Sequence, residues 1–191
     1  MGMIIHIDGL RFAGKTSLVP ALAATLFQKG FSVAIIPEWR FIDNGPTDIY
    51  EWIEKVIIER KHSRNIAASN NADIIIVDRS FVGLEAFVAC SFPDKLDYFY
   101  STIGDALIPD MEIYLFAEKD IIKERAVKSQ DKNYVLNDDK ISDYYKKVYE
   151  RLSINPFSFD TTHINTQELA NQIHILIINK IQENLKENLL C

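Results

Sequence analysis

The run Gly9-Leu10-Arg11-Phe12-Ala13-Gly14-Lys15-Thr16, followed by Ser17, fits the pattern G-x-x-x-x-G-K-[ST]. It stands between the apolar run Ile4-Ile5-His6-Ile7 and a segment with helical periodicity. Glycine at both ends lets the backbone curl with its N–H groups inward, which makes an anion cavity at the positive end of the following helix. Lys15 is suited to reach the β- and γ-phosphates of a nucleoside triphosphate, and the Thr16 hydroxyl to ligate Mg²⁺. The backbone of Gly9, Arg11, Phe12, Ala13, Gly14 and Ser17 completes the cradle, so ATP with Mg²⁺ is the expected ligand. Arg11 could touch transferring phosphate oxygens or be solvated. His6, alternating with isoleucines, reads as a satisfied core or sheet-edge histidine and is given no role.

A second set of residues bears on the reaction, since a phosphate loop names a ligand and not a chemistry. The apolar run Ile74-Ile75-Ile76-Val77 ends in Asp78-Arg79-Ser80. An aspartate at the carboxyl end of a central strand faces the crevice where doubly wound sheets bind ligands, and could act on Mg²⁺ directly or through water. Arg79 offers a planar fork of donors for an acceptor phosphate or for the oxygen undergoing transfer. The alternative is a purely structural ion pair. A guanine switch protein should carry Asn-Lys-x-Asp, but Asn179-Lys180 continues as Ile181-Gln182. A hydrolytic ATPase should end this strand in Asp-Glu, and here Arg79 follows.

Asp78-Arg79-Ser80 resembles the Asp-Arg or Glu-Arg-Ser signature of thymidylate kinases and deoxynucleoside kinases. Pro109-Asp110-Met111-Glu112-Ile113-Tyr114-Leu115 is similar to a strand of that superfamily, and Glu124-Arg125 with Lys128 to its lid helix. The run from Asp143 to Tyr149 resembles the helix that follows the lid in thymidylate kinases. The resemblance implies Arg125 on the phosphates, with Lys128 or Lys132 in place of a second lid arginine. It also implies Arg60 in an acceptor pocket, or else on a solvated face, and a surface salt bridge remains the alternative for Arg125. Glu38 matches a position where nucleoside kinases hold a base for the acceptor hydroxyl, and it could otherwise be a solvated strand-end carboxylate. A hydroxyl acceptor needs such a base, whereas a phosphate acceptor is already ionised. Trp39 stands where those families have proline and no Gly-Gly-Thr follows, which leaves Glu38 and Arg40. Trp39, Phe41 and Phe81 could form a flat wall for a base. Only about 40 residues separate Glu38 from Asp78, a short interval that implies a divergent acceptor pocket.

The expectation is phosphoryl transfer from ATP to a nucleoside monophosphate such as dTMP. One alternative is a deoxynucleoside kinase using Glu38 on a 5′-hydroxyl, and another is an NTP-binding regulatory module without kinase activity. The partner is a small-molecule acceptor, and a homodimer is compatible with the resemblance.

To position these residues, short apolar runs at 3–7, 32–36, 74–77, 112–116 and 162–164 read as buried strands. Helical segments at 15–29, 48–69, a pair across 81–107, 119–128, 139–152 and 167–189 lie between them. Alternation of this kind predicts an α/β, three-layer P-loop NTPase fold with a five-stranded, mainly parallel sheet, helices on both faces and a lid near 125–139. With 191 residues, 48% hydrophobic and 25% charged, one kinase domain over 1–191 is expected. A net charge of −6 disfavours nucleic-acid polymers and anionic membranes as partners. Two cysteines, Cys90 and Cys191, suit neither a disulfide framework nor a metal site. With no leader or spanning segment evident, the expected compartment is the cytoplasm.

Overall fold

The computed structural model describes residues 2–38, 48–69, 71–103, 109–129 and 138–190. Trp39, Arg40, Phe41, Lys132, Cys191 and most of the expected lid fall outside the described residues.

Among the described residues the elements run β1 (Met3–Gly9), α1 (Lys15–Gln28), β2 (Val33–Ile36), α2 (Ile49–Ser69), β3 (Ile74–Asp78), α3 (Phe81–Ser91), α4 (Leu96–Ile103), β4 (Met111–Phe116), α5 (Lys119–Lys128), α6 (Asp138–Leu152), β5 (Phe157–Asp160) and α7 (Thr166–Leu190). All strands pair in parallel in the order β2-β3-β1-β4-β5. This is the expected P-loop type of α/β fold. The sheet grows to one side of β1 and then to the other, and the crevice at the carboxyl end of β1 and β3 is where such sheets bind ligands.

The alternation of β1 sorts its side chains between the two faces. Met3, Ile5 and Ile7 pack with Ile74, Ile76, Ile113 and Leu115 under α1 and α7. Ile5 and Ile7 are fully buried, so truncating either to alanine should cost about 2–5 kcal/mol. The opposite face carries Ile4, His6 and Asp8, covered by α2, α3 and α6. That face of β1 is unusual for a central strand, because two of its three residues are polar and buried.

The helical pair expected across 81–107 takes the form of α3 and α4, separated at Pro93 by a short 3₁₀ turn (Pro93–Lys95). One expectation needs correction. The strand expected at 162–164 lies instead at Phe157–Asp160. As an edge strand paired only with β4, β5 is largely exposed and lacks the continuous apolar run that marks a buried strand. Thr162 is β-branched but belongs to a turn: its N–H and hydroxyl donate to Asp160 Oδ1 at 2.9 and 2.5 Å.

Candidate active site

The loop between β1 and α1 takes its shape from three left-handed residues, Gly9, Phe12 and Gly14, at φ 138°, 61° and 95°. Glycine is obligatory at position 9, where a Cβ would lie 2.0 Å from the Leu115 carbonyl oxygen. Leu10 N–H donates to that same carbonyl at 3.0 Å, so β4 anchors the start of the loop. Gly14 caps α1 without a side-chain hydrogen bond, and nothing lies within 4 Å of where its Cβ would be. The start of α1 is the positively polarised end of the helix.

Lys15 is buried inside this curl, with Nζ donating to the carbonyls of Gly9 at 3.0 Å and Leu10 at 2.6 Å. Burial, aided by the nearby Arg79 charge, lowers it to about 7, against the opposing pull of Glu38, Asp8 and Asp78. Asp78 closes β3 and is buried, and its Oδ1 accepts no hydrogen bond among the described residues. Burial, with Glu38 nearby, raises its carboxyl above the usual range. An orphaned carboxylate oxygen close to Lys15 fits a hard cation. Asp78 and the exposed Thr16 hydroxyl are the side chains that could hold Mg²⁺.

Arg79 follows β3 in a left-handed conformation, φ 64°. Its N–H donates to the Ile7 carbonyl at 3.0 Å, and its Nε donates to Glu38 Oε1 in a short, buried ion pair. Burial disfavours the guanidinium charge, but Glu38, Tyr145 and Asp8 together outweigh it and raise the group. Glu38, only 8% exposed, is thus no solvated carboxylate. Arg60 reaches the same place from α2, donating to the carbonyls of Pro37 at 3.0 Å and Asp78 at 2.7 Å. It is buried, which rules out the solvated-face alternative.

Sequence reasoning overlooked Asp8. The carboxylate is fully buried; Oδ2 accepts from the Ser80 N–H at 2.9 Å and from the Ser80 hydroxyl, and Oδ1 accepts from the Tyr145 hydroxyl at 3.1 Å. Ser80 in turn caps α3, its Oγ accepting from Val82 N–H at 3.0 Å. The available signal was an aspartate inside an otherwise apolar strand, because such a group is buried only with partners. His6 and Glu112 carry the same signal. His6 Nδ1 lies 3.2 Å from Glu112 Oε2, and the Tyr149 hydroxyl donates to Glu112 Oε1 at 3.0 Å. Burial lowers His6 to about 3, so it is neutral. Burial and Asp8 raise Glu112 well above the usual carboxylate range.

Arg125 faces the loop. From α5 it donates to the Phe12 carbonyl at 3.2 Å, to Thr161 Oγ1 at 3.1 Å and to the Thr161 carbonyl at 2.6 Å. It braces the loop apex against the end of β5 and forms no surface salt bridge with its helical neighbours among the described residues. Lys128 is exposed and paired with Glu124. Arg11 is exposed beside the Phe12 ring, 5.4 Å from its centroid. Phe81 is 8% exposed and packs among Trp52, Ile57 and Phe99, so it serves as core and not as a wall for a base. The site thus gathers Asp8, Lys15, Glu38, Arg60, Asp78 and Arg79, and the charges of Asp8, Glu38, Asp78 and Arg79 act on both Lys15 and Arg60. An array of fixed charges at the mouth of a phosphate loop can bind polyphosphate, hold a cation and neutralise charge moving between two oxygens.

No protein-family model matches the chain. It is similar to the thymidylate kinase of Chlorobium luteolum, with 25% identity over 223 aligned residues that cover 97% of this chain and 99% of that protein. Among solved structures it is similar to the YorR protein of Bacillus subtilis, crystallised in complex with phosphorylated GDP. The TM-score is 0.55 at 20% identity, covering 94% of this chain and 98% of the other; this likeness bears on the fold alone. The resemblance to thymidylate kinases read from Asp78-Arg79-Ser80 therefore extends over nearly the whole chain. No helix among the described residues is long and apolar enough to cross a membrane.

Proposed function

We propose that this chain, resembling thymidylate kinases along its length, transfers the γ-phosphoryl group of ATP to a nucleoside monophosphate. The observation that carries the reading is the convergence of Lys15, Asp78 and Arg79 at the carboxyl ends of β1 and β3. Phosphoryl transfer is catalysed mainly by positioning and by neutralising charge on the transferring group. In this reading Lys15 leaves the Gly9 and Leu10 carbonyls and takes up the β- and γ-phosphate oxygens. The loop N–H groups from Gly9 to Ser17 hold the polyphosphate, with Arg11 at their edge. Mg²⁺, when bound, screens the phosphate charge, and Thr16 and Asp78 are the side chains that would hold it.

Arg79 holds the acceptor phosphate, with Arg60 behind it supporting the Asp78 carbonyl. Arg125 acts through the loop, bracing Phe12 from behind. Lys128, and Trp39 and Arg40 at the acceptor side, are assigned by resemblance alone. The described residues fit one kinase domain.

A second reading has a specific observation in its favour. Glu38 already occupies Arg79, and a carboxylate held there is placed to accept the proton of an acceptor hydroxyl, as a nucleoside kinase requires. An acceptor phosphate would have to share Arg79 with it or displace it.

The test is ADP release with and without a panel of nucleosides, nucleoside monophosphates and small metabolites. Stimulation by monophosphates is the expected result. Stimulation by nucleosides alone would transfer the assignment to the second reading, and ATP binding without stimulation by any acceptor would leave a nucleotide-binding module.

A further inference from the structure

Three consecutive residues of β1 each hold a different part of the site. The Ile7 carbonyl takes the Arg79 N–H at 3.0 Å, and Asp8 takes the Ser80 N–H and hydroxyl. The Gly9 carbonyl takes Lys15 Nζ at 3.0 Å. Asp8 is fully buried. Its second oxygen accepts from Tyr145 of α6, and α3 makes room for it with Gly83, where a Cβ would stand 2.2 Å from Asp8 Oδ1 and 2.8 Å from the Tyr145 hydroxyl. Arg79 sits at φ 64°, a conformation that an arginine leaves unless its neighbours hold it. Its two neighbouring anchors are both on β1.

We propose that Asp8 is a positioning residue that fixes the Asp78-Arg79-Ser80 turn to the strand carrying the phosphate loop, and so sets Arg79 in register with Lys15. Three features argue for this over a purely structural aspartate. Its partners belong to the Asp-Arg-Ser turn and to α6, not to its own strand. The Ser80 hydroxyl it binds is also the cap of α3, so one carboxylate orders both the turn and the helix that follows. Ser80 directly follows Arg79, so freeing Ser80 releases the left-handed residue. The proposal rests on the phosphotransfer reading above for its kinetic consequences.

The experiment is a double-mutant cycle between Asp8→Asn and Arg79→Ala, with ATP affinity measured separately by calorimetry. Asp8→Asn should lower kcat or raise the acceptor KM by roughly 10- to 100-fold, the range for losing hydrogen bonds to a charged group, while ATP affinity stays near the wild-type value. Because Asp8 acts through Arg79, Asp8→Asn should add little in the Arg79→Ala background. Fully additive losses, or a loss of ATP affinity equal to the loss of rate, would overturn the proposal. If Asp8→Asn does not fold, Tyr145→Phe and Ser80→Ala enter the same cycle. Wild-type protein without acceptor-dependent turnover would defeat the phosphotransfer reading but not this one. In that event the crystal structure of the Asp8→Asn variant decides, since Arg79 retained at positive φ and paired with Glu38 would overturn it, and Arg79 released would support it.

Discussion

Arg79 donates its Nε hydrogen to Glu38 Oε1 in a buried ion pair that joins the end of β3 to the segment after β2. Each partner is the candidate for a different acceptor, the arginine for a phosphate and the glutamate for a hydroxyl. Under the proposed function, the pair is therefore where substrate class would be decided. Glu38→Gln should leave transfer to a nucleoside monophosphate within about tenfold of wild type, and should lower any transfer to a nucleoside hydroxyl by about 10²- to 10⁴-fold, the usual worth of a general base. Parallel kinetics with dTMP and thymidine check this.

Lys15 gives ATP binding a pH dependence. Burial and Arg79 bring it to about 7 in the ligand-free site, so its ammonium charge is lost as pH rises through that value. Bound phosphate favours the ammonium and raises its pKa, and binding above pH 7 therefore takes up a proton. Affinity should fall between pH 7 and 9, by at most about tenfold per pH unit, and should be flat below pH 6. Calorimetry in buffers of different ionisation enthalpy reads the proton directly, and Lys15→Met should abolish the uptake.

Gly83 should tolerate no side chain. A Cβ there would meet Asp8 Oδ1 at 2.2 Å and the Tyr145 hydroxyl at 2.8 Å, and both residues are buried. Gly83→Ala should destabilise the fold by about 1–3 kcal/mol, in spite of alanine's better helix propensity. Thermal unfolding would register roughly 2–4 °C per kcal/mol.

Glu112 should make the protein less stable as pH rises. Its folded carboxyl is raised by burial and by Asp8, so the folded state holds a proton that the unfolded chain gives up near its ordinary value of about 4.5. Stability from this group is fully present below that value and is lost as pH climbs toward the folded pKa. Glu112→Gln keeps an oxygen for the Tyr149 hydroxyl and removes the titration. The variant should melt above wild type at pH 8, with the difference vanishing near pH 4.5.

The parts of the molecule legible in the sequence were those whose signal is local. The phosphate loop is contiguous, β1 to β4 are built on short apolar runs, and Asp78-Arg79-Ser80 closes one of them. What escaped was set by partners distant in the chain. Asp8 takes its meaning from Ser80 and Tyr145, 72 and 137 residues away, and Arg125 from Phe12 and Thr161. Neither spacing nor residue type announces such contacts. β5 was missed because an exposed edge strand needs only one apolar neighbour, so its pattern is weak. Phe81 looked like a ligand wall for the reason that aromatics often do, and it belongs to the core between α2, α3 and α4.

The central claim is that Lys15 and Arg79 flank the oxygens between which a phosphoryl group moves. Its most direct test is the recovery of label from γ-labelled ATP in a nucleoside monophosphate, comparing wild type with Lys15→Ala and Arg79→Ala. The account predicts labelled nucleoside diphosphate from wild type and a loss on the order of 10²- to 10³-fold in each variant, the cost of removing one preorganised charge-stabilising donor. Near-full transfer by both variants would contradict it.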